Sequence, residues 1–225
     1  MTFSIAARCA RTGMFAISVS SSSPAVAARC AHARAGAGVL ATQNITDPRL
    51  GPMGLDRLAA GRSAEEALAD ILRDYAYAPF RQVTVIDGKG RTASYSGART
   101  LGVHAVAAGD NAIAAGNLLA SQQVPQAMIG EWLKNPEAHI GDRVLDAMRA
   151  GLSAGGEAGP IHSAGMLIVD RVPWPVADLR VDWHESDPIG TLCDLWRRWR
   201  PEMEAYVTRA LSPDAAPAFG VAGET

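Results

Sequence analysis

A threonine directly behind the first methionine offers this chain its most complete chemistry. If Met1 is trimmed, Thr2 carries a hydroxyl and a free α-amino group on one residue, a nucleophile joined to its own base. An α-amine titrates near ~7.7–8, so much of it is neutral at physiological pH and able to take the hydroxyl proton. Thr2 is small, which suits methionine removal. A Met-Thr start also reads as the plain beginning of a strand, so the surrounding positions must decide.

Six further residues have side chains that suit acyl transfer. Gly116-Asn117 ends an apolar run. The Asn117 amide there reads either as a donor to an oxyanion, or as a glycine-permitted turn whose asparagine satisfies backbone. Ser20, Ser21 and Ser22 follow the second apolar run, where one hydroxyl orients the amine or all three form a polar loop. Gln43 closes a glycine-entered run and reads as a substrate-amide contact or a buried hydrogen-bonder. His162 is a further substrate-contact candidate, beside the more ordinary structural role of a lone histidine. No acidic residue falls in this group, so burial is expected to hold the Thr2 amine at or below its ordinary value.

Other patterns point away from metals and cofactors. His104, His162 and His184 lack metal-ligand spacing, and Asp182-Trp183-His184-Glu185 suits solvent or an ion pair better. Gly36-Ala37-Gly38 and Gly88-Lys89-Gly90 lack the strand-to-helix context of a phosphate loop. Arg197-Arg198-Trp199-Arg200 reads as a solvated helix face around one buried tryptophan. We expect no cofactor and no metal.

Composition narrows the class. At 225 residues and 23.6 kDa the chain suits one domain, expected over 1–212, with an Ala/Pro/Gly-rich disordered tail over 213–225. A net charge of −2, with no basic run interleaved with aromatics, argues against nucleic acid. Cys9, Cys30 and Cys193 are odd in number and without C-x-x-C spacing, which suggests buried thiols in a reducing compartment. Arg8 and Arg11 ahead of Met14–Val19 and Ala25-Val26-Ala27 imitate a secretory leader. That apolar run is short and broken by serines, and it also reads as strand, so a cytoplasmic location is expected. No stretch approaches the ~18 apolar residues of a membrane span.

The elements that must position these residues follow from periodicity. Thr2–Ala7 and Met14–Ser20 alternate around a turn at 10–13 and read as an antiparallel hairpin. Residues 25–35 are alanine-rich and ambiguous. Gly36–Gln43 reads as a third strand, Met53–Ala60 as a helix, and Ser63-Ala64-Glu65-Glu66 as a capping box opening a helix to about Tyr75. The period then drops to two over Arg81–Ile86 and Arg91–Tyr95, joined by a glycine turn, and again over Asn111–Ala115. Helices are expected over Val124–Lys134 and Glu137–Ala150. Strands follow at Met166–Val169 and Val181–Trp183, and a last helix runs from Asp187-Pro188 as far as Arg209. Paired strands alternating with paired helices suit an α+β, four-layer αββα sandwich of two antiparallel sheets flanked by helices, with Thr2 opening a central strand.

At this level the chain resembles the bacterial proteins of domain of unknown function 1028. The resemblance is carried by Thr2-Phe3-Ser4-Ile5-x-Ala7-Arg8, Ala41-Thr42-Gln43, Gly51-Pro52-x-Gly54-Leu55-Asp56, Ala64-Glu65-Glu66-Ala67-Leu68 and Asp87-x-x-Gly90-Arg91. It continues through Ser96-Gly97, Gly116-Asn117-x-Leu119, Ala127-Met128, Gly155-Gly156 and Arg180-Val181-Asp182-x-His184. The resemblance implies an N-terminal-nucleophile (Ntn) hydrolase fold with Thr2 in the nucleophile position and amide hydrolysis as the reaction. The chain departs from the family pattern where a Trp and a His commonly lie, since Val103 and Val106 stand there and His104 is displaced. Ser22 replaces a basic residue, and His162 stands for a glutamine.

Taken together, these residues lead us to expect an N-terminal-threonine amidohydrolase. Thr2 and Asn117 would be catalytic, and Ser21, Ser22, Gln43 and His162 would contact a small-molecule amide. The alternative is a non-catalytic protein of the same fold that binds a small ligand or a partner protein. Trp196, Trp199 and Tyr206 on the last helix exceed what one helix easily buries, so a homodimer is expected.

Overall fold

The computed structural model describes residues 1–221. Its first strand, β1 (Thr2–Arg8), is buried along almost its whole length. The turn after it is closed by Gly13, whose φ of +80° favours glycine, and β2 (Phe15–Ser21) returns antiparallel to β1. The leader-like run is therefore an interior strand of a sheet. A four-residue helix, α1 (Ala27–Cys30), and β3 (Ala31–Arg34) fill the ambiguous alanine-rich stretch, and β4 (Gly38–Asn44) follows.

Two helices, α2 (Leu50–Ala59) and α3 (Ala64–Leu72), come next. The capping box is formed: Ser63 Oγ accepts from the Glu66 N–H at 3.2 Å and the Ser63 N–H donates to Glu66 Oε2 at 2.8 Å. Strands β5 (Arg81–Asp87), β6 (Thr92–Ser96), β7 (Ala105–Gly109) and β8 (Ala112–Asn117) lead to α4 (Val124–Trp132) and α5 (Ile140–Ser153). The chain ends through β9 (Ser163–Val169), β10 (Ala177–Val181), α6 (Pro188–Trp199) and α7 (Met203–Leu211).

All strand pairs are antiparallel. One sheet has the order β10-β9-β2-β1-β8-β7 and the other β3-β4-β5-β6. Helices α4 and α5 cover the first sheet and α6 covers its β9–β10 end, while α2 and α3 cover the second. The sheets pack on each other through Ala6, Phe15, Ile17, Val39, Ala41, Ile86 and Ile113. This is the expected four-layer αββα order, and β1 is an interior strand.

Three expectations need correction. The last helix is two, because Pro201 lacks an N–H and cannot carry the ladder from α6 into α7. Strand β10 lies at Ala177–Val181 rather than Val181–Trp183; it pairs with β9, and Trp183 falls in the loop beyond it. Strand β7 was not expected, because Ala-Val-Ala-Ala-Gly carries almost no β-branched signal and is a strand by pairing with β8. Of the expected tail, residues 213–215 form a 3-10 turn and positions 222–225 lie outside the described residues. No helix among the described residues is long and apolar enough to cross a membrane.

Candidate active site

Strand alternation fixes which way each β1 side chain faces. Phe3, Ile5 and Ala7 belong to the core under the helices, whereas Ala6 packs between the sheets. Thr2 and Ser4 therefore face the second sheet. Thr2 stands opposite Asn117 on β8, and the Phe3–Ser20 pairing places Ser21 on its other side. Ser163 of β9 lies opposite Ser21. Ser163, Ser21, Thr2 and Asn117 thus form one polar row across four neighbouring strands, at the end of a face that beyond Ser4 is apolar.

A second row faces it from the other sheet. Gln43 and Gln82 are paired across β4 and β5, and Gln82 stands opposite Ser96. Ser4 Oγ donates to Gln43 Oε1 at 2.8 Å, and Gln43 Nε2 donates to Gln82 Oε1 at 2.8 Å. Asn117 Nδ2 donates to the same Gln82 oxygen at 3.1 Å, while Gln82 Nε2 donates to the Gly116 carbonyl at 3.1 Å and to Ser96 Oγ at 3.2 Å. Gln82 thereby uses both lone pairs and both amide hydrogens, the full inventory of a primary amide. That is what permits its complete burial, because an unpaired amide there would cost several kcal/mol, roughly 2–7. Asn117 is held by this bridge with one amide hydrogen uncommitted, and its Oδ1 is buried without a partner.

Thr2 itself is only 5% exposed, with Met1 bound beside it. The Met1 carbonyl oxygen accepts from Ser21 Oγ at 2.6 Å and also from Thr2 Oγ1. The Met1 side chain lies against Gly159, where a Cβ would stand 3.3 Å from Met1 Cε.

Glu157 was missed by the sequence reading, which expected no acid near Thr2. It lies in the loop between α5 and β9, held to the end of β8 by Ala120 N–H to Gly156 C=O and Ala158 N–H to Leu118 C=O bonds. The preceding Gly155 and Gly156 have φ of +116° and +58°, which the turn into this loop requires. Glu157 is 5% exposed; its Oε2 accepts from the Ser22 N–H at 3.1 Å and its Oε1 has no partner. Burial pushes its carboxyl up to about 7, opposed by the positive Met1 α-amino group nearby and by hydrogen bonds from Ser22. The acid follows the Gly155-Gly156 pair, and an acid behind two turn glycines was the available signal.

The structure brings Thr2, Asn117, Ser21 and Gln43 into one network or row, and Ser22 reaches it through its backbone bond to Glu157. His162 stands at the rim. Its N–H donates to the Ser21 carbonyl at 2.9 Å, and its ring stacks on Trp183 at 4.3 Å with Nδ1 3.0 Å from the His184 carbonyl. Gln82 and Ser4 were also missed, because in sequence each reads as one polar residue of an alternating strand, and Ser96 because it falls just past the expected Arg91–Tyr95 strand. At the departures from the family pattern, Val106 packs between the sheets, Val103 is exposed, and His104 Nδ1 lies 3.1 Å from the Gly102 carbonyl. A cavity of about 390 Å³ lined by Arg8, Arg11, Asp110 and Arg143 sits at the opposite end of β1. No cluster of three or more His, Cys, Asp or Glu suited to a metal occurs among the described residues.

Compared with known families, residues 2–192 match a family described as "Family of unknown function (DUF1028)". A crystal structure of a DUF1028 protein from Silicibacter pomeroyi superposes with a TM-score of 0.81 at 26% identity, covering 88% of each chain. An Anbu Gly-1 mutant from Hyphomicrobium sp. strain MC1 gives a TM-score of 0.43 at 11% identity, covering 98% of this chain and 100% of that one. Anbu from Yersinia bercovieri, described as an ancestral β-subunit, gives 0.43 at 12% identity, covering 97% and 100%. No curated protein matches.

Proposed function

We propose, from the premise that this chain belongs to the DUF1028 family, that it is an N-terminal-threonine amidohydrolase acting on a small amide or ureido-type compound after loss of Met1. The supporting observation is the polar row in which Thr2 opens an interior strand between Ser21 and Asn117, with Gln82 fixing the asparagine from the facing sheet. Thr2 Oγ attacks the substrate carbonyl while the Thr2 amine takes the hydroxyl proton and delivers it to the departing nitrogen. The uncommitted hydrogen of Asn117 Nδ2, together with backbone N–H groups, stabilises the oxyanion, and water then releases the acyl group from Oγ. Ser21 orients the amine, and Gln43 with Ser22 and His162 shapes the approach. The three cysteines are unpaired, which fits a cytoplasmic enzyme.

A non-catalytic reading draws on one observation: Met1 as placed occupies both the Ser21 and the Thr2 hydroxyls. If Met1 is retained, the amine of Thr2 is locked in a peptide bond and the protein binds rather than hydrolyses. Intact mass of the purified chain separates the two. The hydrolase reading expects a mass lower by one methionine residue, followed by turnover of members of a small-amide panel that Thr2→Ala abolishes. Retained Met1, or turnover by Thr2→Ala, would overturn it.

A further inference from the structure

Met1 is itself an aminoacyl group held at the proposed nucleophile, with contacts at its carbonyl and its side chain. Its carbonyl oxygen takes a 2.6 Å hydrogen bond from Ser21 Oγ. Its side chain lies on Gly159, where any Cβ would crowd it. Two residues before Gly159 in the same loop, Glu157 is a buried carboxyl with its Oε1 unpartnered, and the charge of the Met1 α-amino group reaches it. A buried carboxylate lacking a partner carries a desolvation cost that a cation would offset, so this loop is built to face positive charge.

We propose that the space Met1 fills is the acyl subsite and that the substrate is an α-amino-acid amide, its ammonium group facing Glu157 and its carbonyl taking the Ser21 hydrogen bond. This rests on the amidohydrolase reading and narrows it to one substrate class. Attack by Thr2 Oγ forms the Oγ–C bond and breaks the C–N bond, with the hydroxyl proton passing through the Thr2 amine to the leaving nitrogen. Water then adds to the ester carbon, Oγ takes back a proton, and a free α-amino acid leaves. The side chain read by Gly159 is unbranched and apolar, as methionine is.

The test is binding rather than turnover, so that its failure differs from failure of the hydrolase reading. Full-length Thr2→Ala protein is released from a fusion partner so that residue 2 is the first residue, and calorimetry is run with L-methioninamide and N-acetyl-L-methioninamide. Methioninamide is expected to bind at least about tenfold tighter, the scale of one charge-assisted contact. Glu157→Gln should erase that difference while leaving the weaker N-acetyl binding unchanged. Gly159→Val, which fills the side-chain space, should weaken methioninamide and spare glycinamide. Circular dichroism confirms that each variant is folded, with Glu157→Asp as the second acid variant. Equal affinity for the two amides, no binding of either, or no effect of both Glu157→Gln and Gly159→Val would overturn the proposal. Turnover of other amides by the wild type would in that case leave the hydrolase reading standing.

Discussion

At the scale of single residues, Thr2 and Glu157 make separate predictions. Thr2→Ser keeps hydroxyl and amine and should retain measurable turnover, whereas Thr2→Ala should lose it while melting within about 1 kcal/mol of wild type, since it removes one methyl and one hydroxyl. The sequence reading, finding no acid nearby, placed the inflection of the rate at or below the ordinary amine value. Glu157 is the acid that reading lacked: ionised, it would favour the charged amine and so oppose the effect of burial. Glu157→Gln should therefore move the inflection of kcat/KM against pH to lower values, and an unmoved inflection would separate the two groups. Stability titrates as well. The native carboxyl holds its proton to about 7 while the unfolded one ionises near 4.5. Between those values the native state binds the extra proton, so stability falls as pH rises across the window and then levels off. The loss is on the order of 3 kcal/mol, and Glu157→Gln should flatten it in denaturant melts taken at pH 4.5 and pH 8.

Secondary-structure elements are joined by a buried carboxylate that has no part in the site. Asp87, 2% exposed, ends β5 and accepts from the Lys89 and Arg91 N–H groups and the Arg91 guanidinium, which close the turn to β6. It also accepts from the Ala64 N–H at the start of α3. Burial alone would raise its pKa, but these donors outweigh burial and hold it below the usual range. Asp87→Ala should cost roughly 2–3 kcal/mol by leaving those donors unpaired, measured by urea unfolding at pH 7. In wild type that contribution is present above the ordinary carboxylate pKa and is lost as pH falls through the lowered native one. Elements of this kind were largely legible in sequence: the capping box, the β5–β6 turn glycines and the alternation of β1 and β2 each state a local rule. Strand β7 was not, since alanine and glycine leave pairing to decide. The site was half legible, because Thr2 and Asn117 announce themselves at strand ends. Gln82 and Glu157 join the candidate residues only when the two sheets stack and the loop at 155–159 folds against the end of β8.

On the scale of the whole molecule, the C-terminal aromatics bear on assembly. Trp196 and Trp199 are satisfied within the chain, through Asp142 and the Val176 carbonyl, and Tyr206 stacks on Trp199 at 4.9 Å. Tyr206 and Leu211 remain exposed along α7. We expect a homodimer formed through this face. Light scattering at micromolar concentration should give twice 23.6 kDa, and Tyr206→Glu should return the protein to monomer. A monomeric wild type would remove this expectation. On the hydrolase reading, the place of Thr2 at the first step of an interior strand makes removal of whatever precedes it part of the proposed chemistry. An affinity tag left ahead of Thr2 would then lock its amine in a peptide bond and silence that chemistry while leaving the sandwich intact. Recombinant work on this chain therefore calls for C-terminal tags, and a soluble, inactive N-terminally tagged preparation would say nothing about the chemistry of the native protein.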